Sequence, residues 1–175
     1  MAYTKAREKT EQALHAAMLS LMRTKPLHSI TVTELCSLCG LNRSTFYAHY
    51  ATIDHLIRDL HEELFLLMEE SLNLSPHTYA VRNEAQFTRF LIQICKEDER
   101  FRLFVRSEDA NRFVSHMVDH FLTRFCPKDA GVARRNAQLY HMVGAFTLLC
   151  AWIHEGYPYP AEELAAQIIA LSQKP

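Results

Sequence analysis

The chain has 175 residues, a length that suits one compact body, or a small module joined to a modest second domain, and excludes a large multidomain enzyme. Apolar residues make up 49% of the sequence and charged residues 22%, and four glycines and six prolines leave little room for linkers, so we expect a globular protein. The net charge of −1 argues against a uniformly basic nucleic-acid binder.

The charge is unevenly distributed along the chain. Residues 1–50 carry six basic and three acidic side chains, a net charge of +3, and the remaining residues carry a net −4. No apolar run is long enough to cross a bilayer and the N-terminus lacks the apolar core of a secretory signal, so we expect no membrane association and a cytoplasmic location. The five cysteines are expected to be reduced thiols.

Apolar residues recur every three to four positions along most of the chain, which predicts an all-α fold with no strand and no repeat. The first helix has an apolar face that runs to Met22 and ends before Pro26. Thr31, with Glu34 three residues later, has the spacing of a capping box and predicts the start of a second helix. Gly40 can adopt the left-handed conformation that ends this short helix.

A third short helix is predicted from the capping residue Asn42 to Tyr50. A fourth begins at Thr52, with Asp54 in its first turn, and is closed by Pro76. Its apolar positions follow one face: Leu56, Ile57, Leu60, Leu64, Leu67, Met68 and Leu72.

Four or five further helices are predicted in the rest of the chain. Aromatic and aliphatic residues mark the first three: Phe87, Phe90, Leu91 and Ile94; Phe101 and Phe104; Phe113, Met117, Phe121, Leu122 and Phe125, before Pro127. A long helix from about Asp129 to Gly156 is apolar nearly all round between Tyr140 and Ile153, so it needs partners on more than one side. The last helix follows Pro160 and has two glutamates in its first turn.

Two short helices joined by a tight turn, with longer helices before and after, form the arrangement of a helix-turn-helix reader of DNA. The second short helix must enter a major groove about 12 Å wide, so its exposed face has to be small and polar. Its N-terminal residues meet this need: Arg43, Ser44 and Thr45. Phe46 and Tyr50 lie at helical spacing and are expected to face the core, flanked by Tyr47 and His49 with tips that can reach phosphate.

The segment from Thr31 to Tyr50, TVTELCSLCGLNRSTFYAHY, resembles the DNA-binding domain of the TetR (tetracycline-repressor-like) family, and the similarity covers residues 10–60. It implies a DNA-binding domain of three helices at residues 1–52 and a helical ligand-binding and dimerisation domain at residues 53–175. It also implies DNA contacts by Thr31, Thr33, Arg43, Ser44, Thr45, Tyr47, Ala48 and His49. Arg43 either reads a guanine or contacts phosphate or solvent. Ile53 stands where the family usually has a phosphate-contacting lysine.

The resemblance further implies that the last two helices form a four-helix interface in a homodimer. The residues predicted for it are Met142, Phe146, Leu149, Trp152, Ile153, Leu164 and Ile168. The aromatic middle of the chain is either ordinary core or the lining of an effector pocket. The candidate ligand-binding residues are His61, Phe104, His116, Tyr140 and His141.

Two further patterns have both a functional and a structural interpretation. Cys36 and Cys39 have the spacing of half a zinc site or of a redox pair, but no second pair lies nearby and no strand precedes them, which favours two small buried thiols. His116 and His120 lie one helical turn apart and either bind a metal ion or form ordinary polar contacts. No catalytic grouping or phosphate-binding loop is present, so we expect no enzymatic activity, no cofactor and no metal.

The sequence therefore predicts a homodimeric, sequence-specific DNA-binding regulator of transcription that binds a palindromic operator and is released by a small molecule as a repressor. One alternative is a DNA-binding coactivator that works with a protein partner. The alternative from another class is a small helical metal-binding protein or enzyme that uses His116 and His120.

Overall fold

The computed structural model of the chain describes residues 2–74, 83–126 and 131–172, which form helices joined by short turns, with no strand among them. The helices are α1 (Ala2–Met22), α2 (Val32–Cys39), α3 (Arg43–His49), α4 (Ile53–Leu72), α5 (Glu84–Phe90), α6 (Glu99–Arg106), α7 (Ala110–Phe125), α8 (Val132–His154) and α9 (Ala161–Ser172). A short 3₁₀ turn, Leu27–Ser29, follows α1, and α5 continues into a π-helical segment, Leu91–Glu97. The predicted all-α fold is confirmed.

We call α1, α2 and α3 with their connections the head, and α4 to α9 the body. In the head, the predicted capping box is present, because the Thr31 hydroxyl accepts the Glu34 backbone N–H and the Glu34 carboxylate accepts the Thr31 backbone N–H. Gly40 ends α2 in the left-handed conformation, with φ of 64°. Asn42 precedes α3 as expected, although its side chain makes no capping hydrogen bond.

Polar caps also set the ends of α4. The Thr52 hydroxyl accepts the His55 backbone N–H at 3.2 Å, as the sequence predicts, and Asn73 ends the helix with φ of 48°. Pro76, Pro127 and Asp129 lie outside the described residues, so their predicted roles at helix ends stay predictions.

The buried apolar residues form one cluster that runs from the head into the body. In the head α1 packs on α2, and α1 also packs on α6 of the body. Within the body α4 packs on α5 and α7, α5 on α9, and α8 on both α7 and α9. The apolar cluster includes the fully buried side chains of Leu14, Phe46 and Trp152. In the described parts of the chain, no helix is long and apolar enough to cross a membrane.

The residues predicted for the dimer interface require a correction. Six of them are at most 5% exposed within the single chain: Phe146, Leu149, Trp152, Ile153, Leu164 and Ile168. Met142 is half-buried and packs against the same core. These side chains attach α8 and α9 to the body, and the opposite face of α8 exposes Tyr140 and Val143. A helix that is apolar nearly all round can pack on two sides, against its own chain and against another molecule. The spacing of apolar residues did not identify which side of α8 packs against its own chain.

Candidate nucleic-acid interface

The head presents α3 as a short helix with one buried and one exposed side. Phe46 is fully buried and Tyr50, directly after the helix, is 6% exposed, as predicted. The left-handed Gly40 allows the tight turn from α2, in which the Leu41 backbone N–H donates to the Cys36 carbonyl at 2.9 Å. The buried aromatic side chains therefore fix which residues of α3 face solvent.

The exposed side of α3 carries the polar residues that the sequence predicts for DNA contacts. Arg43, Ser44 and Ala48 are exposed, Tyr47 is 50% exposed and Thr45 is half-buried. The Arg43 guanidinium donates to the Tyr47 hydroxyl at 3.5 Å and lies 6.0 Å from the centre of its ring. Such stacking holds an arginine extended over an aromatic face at a small cost in side-chain freedom.

Thr31 and Thr33 are exposed at the start of α2. The Thr31 hydroxyl already takes part in the cap, since it also donates to Glu34 at 2.7 Å. Hydrogen bonds from Lys25 and from Thr31 lower the pKa of Glu34 to about 2, so its carboxylate is charged at neutral pH. A DNA phosphate can only accept hydrogen bonds, so contact with it has to come from the Thr33 hydroxyl or from backbone N–H groups of this first turn, because the Thr31 hydroxyl proton is donated to Glu34.

His49 lies differently from the other candidates. Its side chain is 12% exposed, and its Nδ1 atom is 3.1 Å from Glu11 of α1. Burial alone would raise the pKa of Glu11. Hydrogen bonds from Arg7 and His49 outweigh burial and lower this pKa below its usual value. In this structure His49 connects α3 to α1 through Nδ1, so a phosphate contact that keeps this link has to use Nε2.

Three of the five candidate ligand-binding residues come together between α4, α6 and α7. The Nδ1 atoms of His61 and His116 are 2.9 Å apart, and the His61 ring lies 4.3 Å from that of Phe104 and 4.8 Å from that of Phe113. Phe113 also belongs to this cluster, although it is not one of the five candidate residues. Burial, followed by the nearby His116 and two arginines, lowers the pKa of His61 to about 3, so the ring is neutral at pH 7.

One ring nitrogen of this cluster makes no hydrogen bond within the described residues. The Nε2 atom of His61 is buried and has no hydrogen-bond partner in the part of the chain that the structure describes. An unpaired buried polar group of this kind costs about 1–3 kcal/mol. The side chains of Tyr140 and His141 do not share this environment, because Tyr140 is 78% exposed on α8 and forms a ring contact with the half-buried His141. Tyr140 and His141 therefore lie outside this cluster, and a ligand contact by either of them stays a prediction.

The metal and redox alternatives find no support in the geometry. His120 lies between two carboxylates and hydrogen-bonds to both, at 2.6 Å to Glu69 and 3.0 Å to Glu62. Among the described residues, no group of three or more potential ligands could hold a metal ion. Burial raises the pKa of both Cys36 and Cys39, which makes these thiols poor nucleophiles and poor metal ligands.

The head meets the body along a cleft of about 380 Å³. Its lining comes from the end of α1, the following turn, and α6 with the turn after it. Two exposed contacts also join head and body: the ion pair of Arg23 with Glu99 at 2.5 Å, and the contact of His28 with Glu108 at 3.1 Å. Exposed pairs contribute little to stability, so this part of the contact does not hold the head rigidly.

No protein-family model and no curated protein matches the sequence. Solved structures do match along nearly the whole chain. A TetR transcriptional regulator from Streptococcus agalactiae superposes with a TM-score of 0.75, 18% identity and 99% coverage of each chain. A dihydroxyacetone kinase operon activator, DhaS, gives 0.56 with 19% identity and 93% coverage of each chain. RolR in complex with resorcinol gives 0.52 with 16% identity, covering 98% of this chain and 97% of that one. The chain therefore has the TetR-type fold.

Proposed function

We propose that the chain is a sequence-specific DNA-binding regulator of transcription that acts as a homodimer, with α3 as its reading helix. The two predicted domains have different functions: residues 1–52 bind DNA, and residues 53–175 bind an effector and a second copy of the chain. The observation that carries the proposal is the exposed Arg43–Tyr47 pair on a short helix whose other side is anchored by Phe46 and Tyr50. No reaction is assigned to the chain.

The DNA-binding step is tested by selecting bound sequences from a random DNA pool and measuring affinities by fluorescence anisotropy. We expect Arg43→Ala to relax the preference at one base position by about 1–3 kcal/mol. Tyr47→Phe should weaken binding to all sequences by a similar factor, because a phosphate contact carries no sequence information. Arg89→Ala, at an exposed arginine of α5, is the matched control and should leave both measurements unchanged. Unselective binding by the wild-type chain would contradict the proposal.

The exposed face of α8 is the proposed contact with a second copy. Seven large apolar side chains are exposed in the described part of the chain. Three of them, Val132, Tyr140 and Val143, lie on α8, and Leu171 lies on α9. Exposed apolar side chains gathered on one side of a helix are typical of an interaction site. A two-fold dimer of this kind would present two copies of α3 to half-sites about 34 Å apart on a palindrome.

Sedimentation distinguishes this surface from the rest of the molecule. We expect Tyr140→Glu combined with Val143→Glu to produce a monomer that binds DNA weakly, because two charges would be buried without partners. Leu66→Glu, at a leucine of α4 that is 44% exposed, is the matched control and should stay dimeric. A wild-type monomer with tight operator binding would exclude the dimer.

The proposed effector site is the group of His61, Phe104, Phe113 and His116, for which the unpaired His61 Nε2 atom is the supporting observation. A neutral molecule with a hydroxyl group would satisfy this nitrogen and stack on the phenylalanine rings. Because α6 carries Phe104 and also packs on α1, a ligand that separates α6 from α4 would shift the head. Resorcinol is a suitable first probe, since it is the ligand named for one structural neighbour.

Thermal unfolding with and without resorcinol tests this site. We expect a ligand-dependent stabilisation that His61→Phe abolishes and that is accompanied by release of DNA, as in a repressor. We expect the ligand to release DNA, which is the behaviour of a repressor. An activator is a second candidate, because one neighbour of the same fold is an operon activator. Tighter DNA binding in the presence of the ligand would favour that candidate.

A further inference from the structure

His15 of α1 is buried at the meeting point of three elements. Its Nε2 atom lies 2.9 Å from the hydroxyl of Tyr50, which directly follows α3, and 3.3 Å from Oδ2 of Asp59 on α4. Its Nδ1 atom lies 3.2 Å from Oε1 of Glu63, also on α4. The side chain is 9% exposed. One imidazole therefore touches the end of the reading helix and two carboxylates of the body.

Counting protons shows which form of the imidazole fits this site. The Tyr50 hydroxyl donates its single proton to Asp59 at 2.7 Å, so towards His15 it can only accept. The Nε2 atom of His15 must then carry a proton. Its Nδ1 atom lies 3.2 Å from the Glu63 carboxylate, and a negative charge at that distance favours a protonated nitrogen over a bare lone pair. Both conditions are met by the doubly protonated, positively charged ring.

The surrounding charges favour the same form. Asp59 and Glu63 are one helical turn apart on α4, a spacing at which like charges repel. From α6, Arg100 approaches Glu63 at 3.7 Å but is paired more closely with Asp98, at 2.7 Å. On α1 the nearest acidic residue along the helix face, Glu11, is paired with Arg7 and with His49 of α3. The charged ring of His15 is thus the group that lies between the two α4 carboxylates and Tyr50.

We propose that His15, as an imidazolium ion, is a positioning residue that holds the end of the reading helix to α4 by binding Tyr50, Asp59 and Glu63 at once. The neutral ring has one N–H and can satisfy only one side, so the orientation of α3 relative to the body becomes looser when the proton is lost. The inference rests on the proposed DNA-binding function. It adds that DNA affinity of this chain depends on the charge of a side chain that does not touch DNA.

The first test measures DNA affinity of the full chain between about pH 5.5 and 8.5, the range in which imidazoles change charge. We expect the dissociation constant to rise about three- to tenfold with pH, the effect of one lost charged contact. His15→Lys retains a positive charge and should change less than about twofold over the same range. His15→Gln should bind weakly at every pH. His154→Gln, at an exposed histidine at the end of α8, should keep the wild-type profile.

The second test uses the wild-type protein and needs neither DNA nor a variant that folds. In the full chain labelled with ¹⁵N-histidine, the ring nitrogens of His15 should both show the chemical shifts of a protonated imidazole at about pH 6. A neutral ring throughout would overturn the proposal, as would identical DNA-affinity profiles for wild type and His15→Lys. Absence of DNA binding at every pH, with the ring charged, would instead overturn the proposed function.

Discussion

Replacing His61 with phenylalanine tests whether the aromatic cluster keeps this side chain neutral. Burial lowers the pKa of His61 from 6.5 to about 3. Between these values the unfolded chain binds a proton that the folded chain does not, so the folded state is stabilised above pH 6.5 and loses stability as the pH falls. At about 1.4 kcal/mol per pH unit, His61 costs about 2 kcal/mol of stability at pH 5 relative to neutral pH.

The phenylalanine variant removes this cost. At neutral pH the substitution also removes the unpaired Nε2 atom but breaks the hydrogen bond to His116, which is half-buried and can turn to water. These two effects oppose each other, so we expect the variant to be within about 1 kcal/mol of wild type at neutral pH. Near pH 5 it should gain about 2 kcal/mol relative to wild type, because phenylalanine takes up no proton.

Urea unfolding followed by circular dichroism at several pH values measures both quantities, with the free energy of unfolding extrapolated to zero denaturant. His55→Phe changes an exposed histidine on the same helix and should keep the wild-type pH dependence. If His61→Phe lost stability on acidification as steeply as wild type, His61 would titrate normally in the folded chain. The reasoning from burial would then be refuted.

Two further substitutions test the head. Ile53→Lys, at the half-buried first residue of α4, should add one phosphate contact and steepen the slope of log affinity against log salt by about 0.9, measured by anisotropy; an unchanged slope would mean that this position does not face DNA. Thr31→Ala should lower the free energy of unfolding by about 1 kcal/mol through loss of the α2 cap. Thermal unfolding of Thr33→Ala, an exposed neighbour that does not cap, provides the comparison, and equal losses would contradict a role for the cap.

The features that were predicted correctly from the sequence depend on residues close together in the chain. The Thr31–Glu34 capping box, the left-handed Gly40 and the inward-facing Phe46 and Tyr50 each need information from within about one or two helical turns. Most of the proposed recognition surface follows from these local signals, because fixing the buried side of α3 also determines its exposed side.

The features that were missed depend on contacts between distant parts of the chain. The pairing of His61 with His116 joins residues 55 positions apart, and His49 faces Glu11 across 38 positions. Sequence spacing carries no information about either contact. On α8 the apolar residues gave no clear preferred side, so Phe146 and Trp152 were expected at a partner although they are buried in their own chain. Tertiary packing decided each of these cases.

The placement of charged and buried residues on α4 connects the proposed effector site to the head. At about 100° per residue, His61 lies about 200° around the helix from both Asp59 and Glu63. One side of these two turns faces Phe104 of α6 and His116 of α7, and the other faces His15 of α1. A packed helix moves as a unit, since its own hydrogen bonds are stiffer than its contacts with neighbours. Displacement of α4 by a ligand beside His61 would therefore change the distance between the carboxylates and His15 within the same two turns.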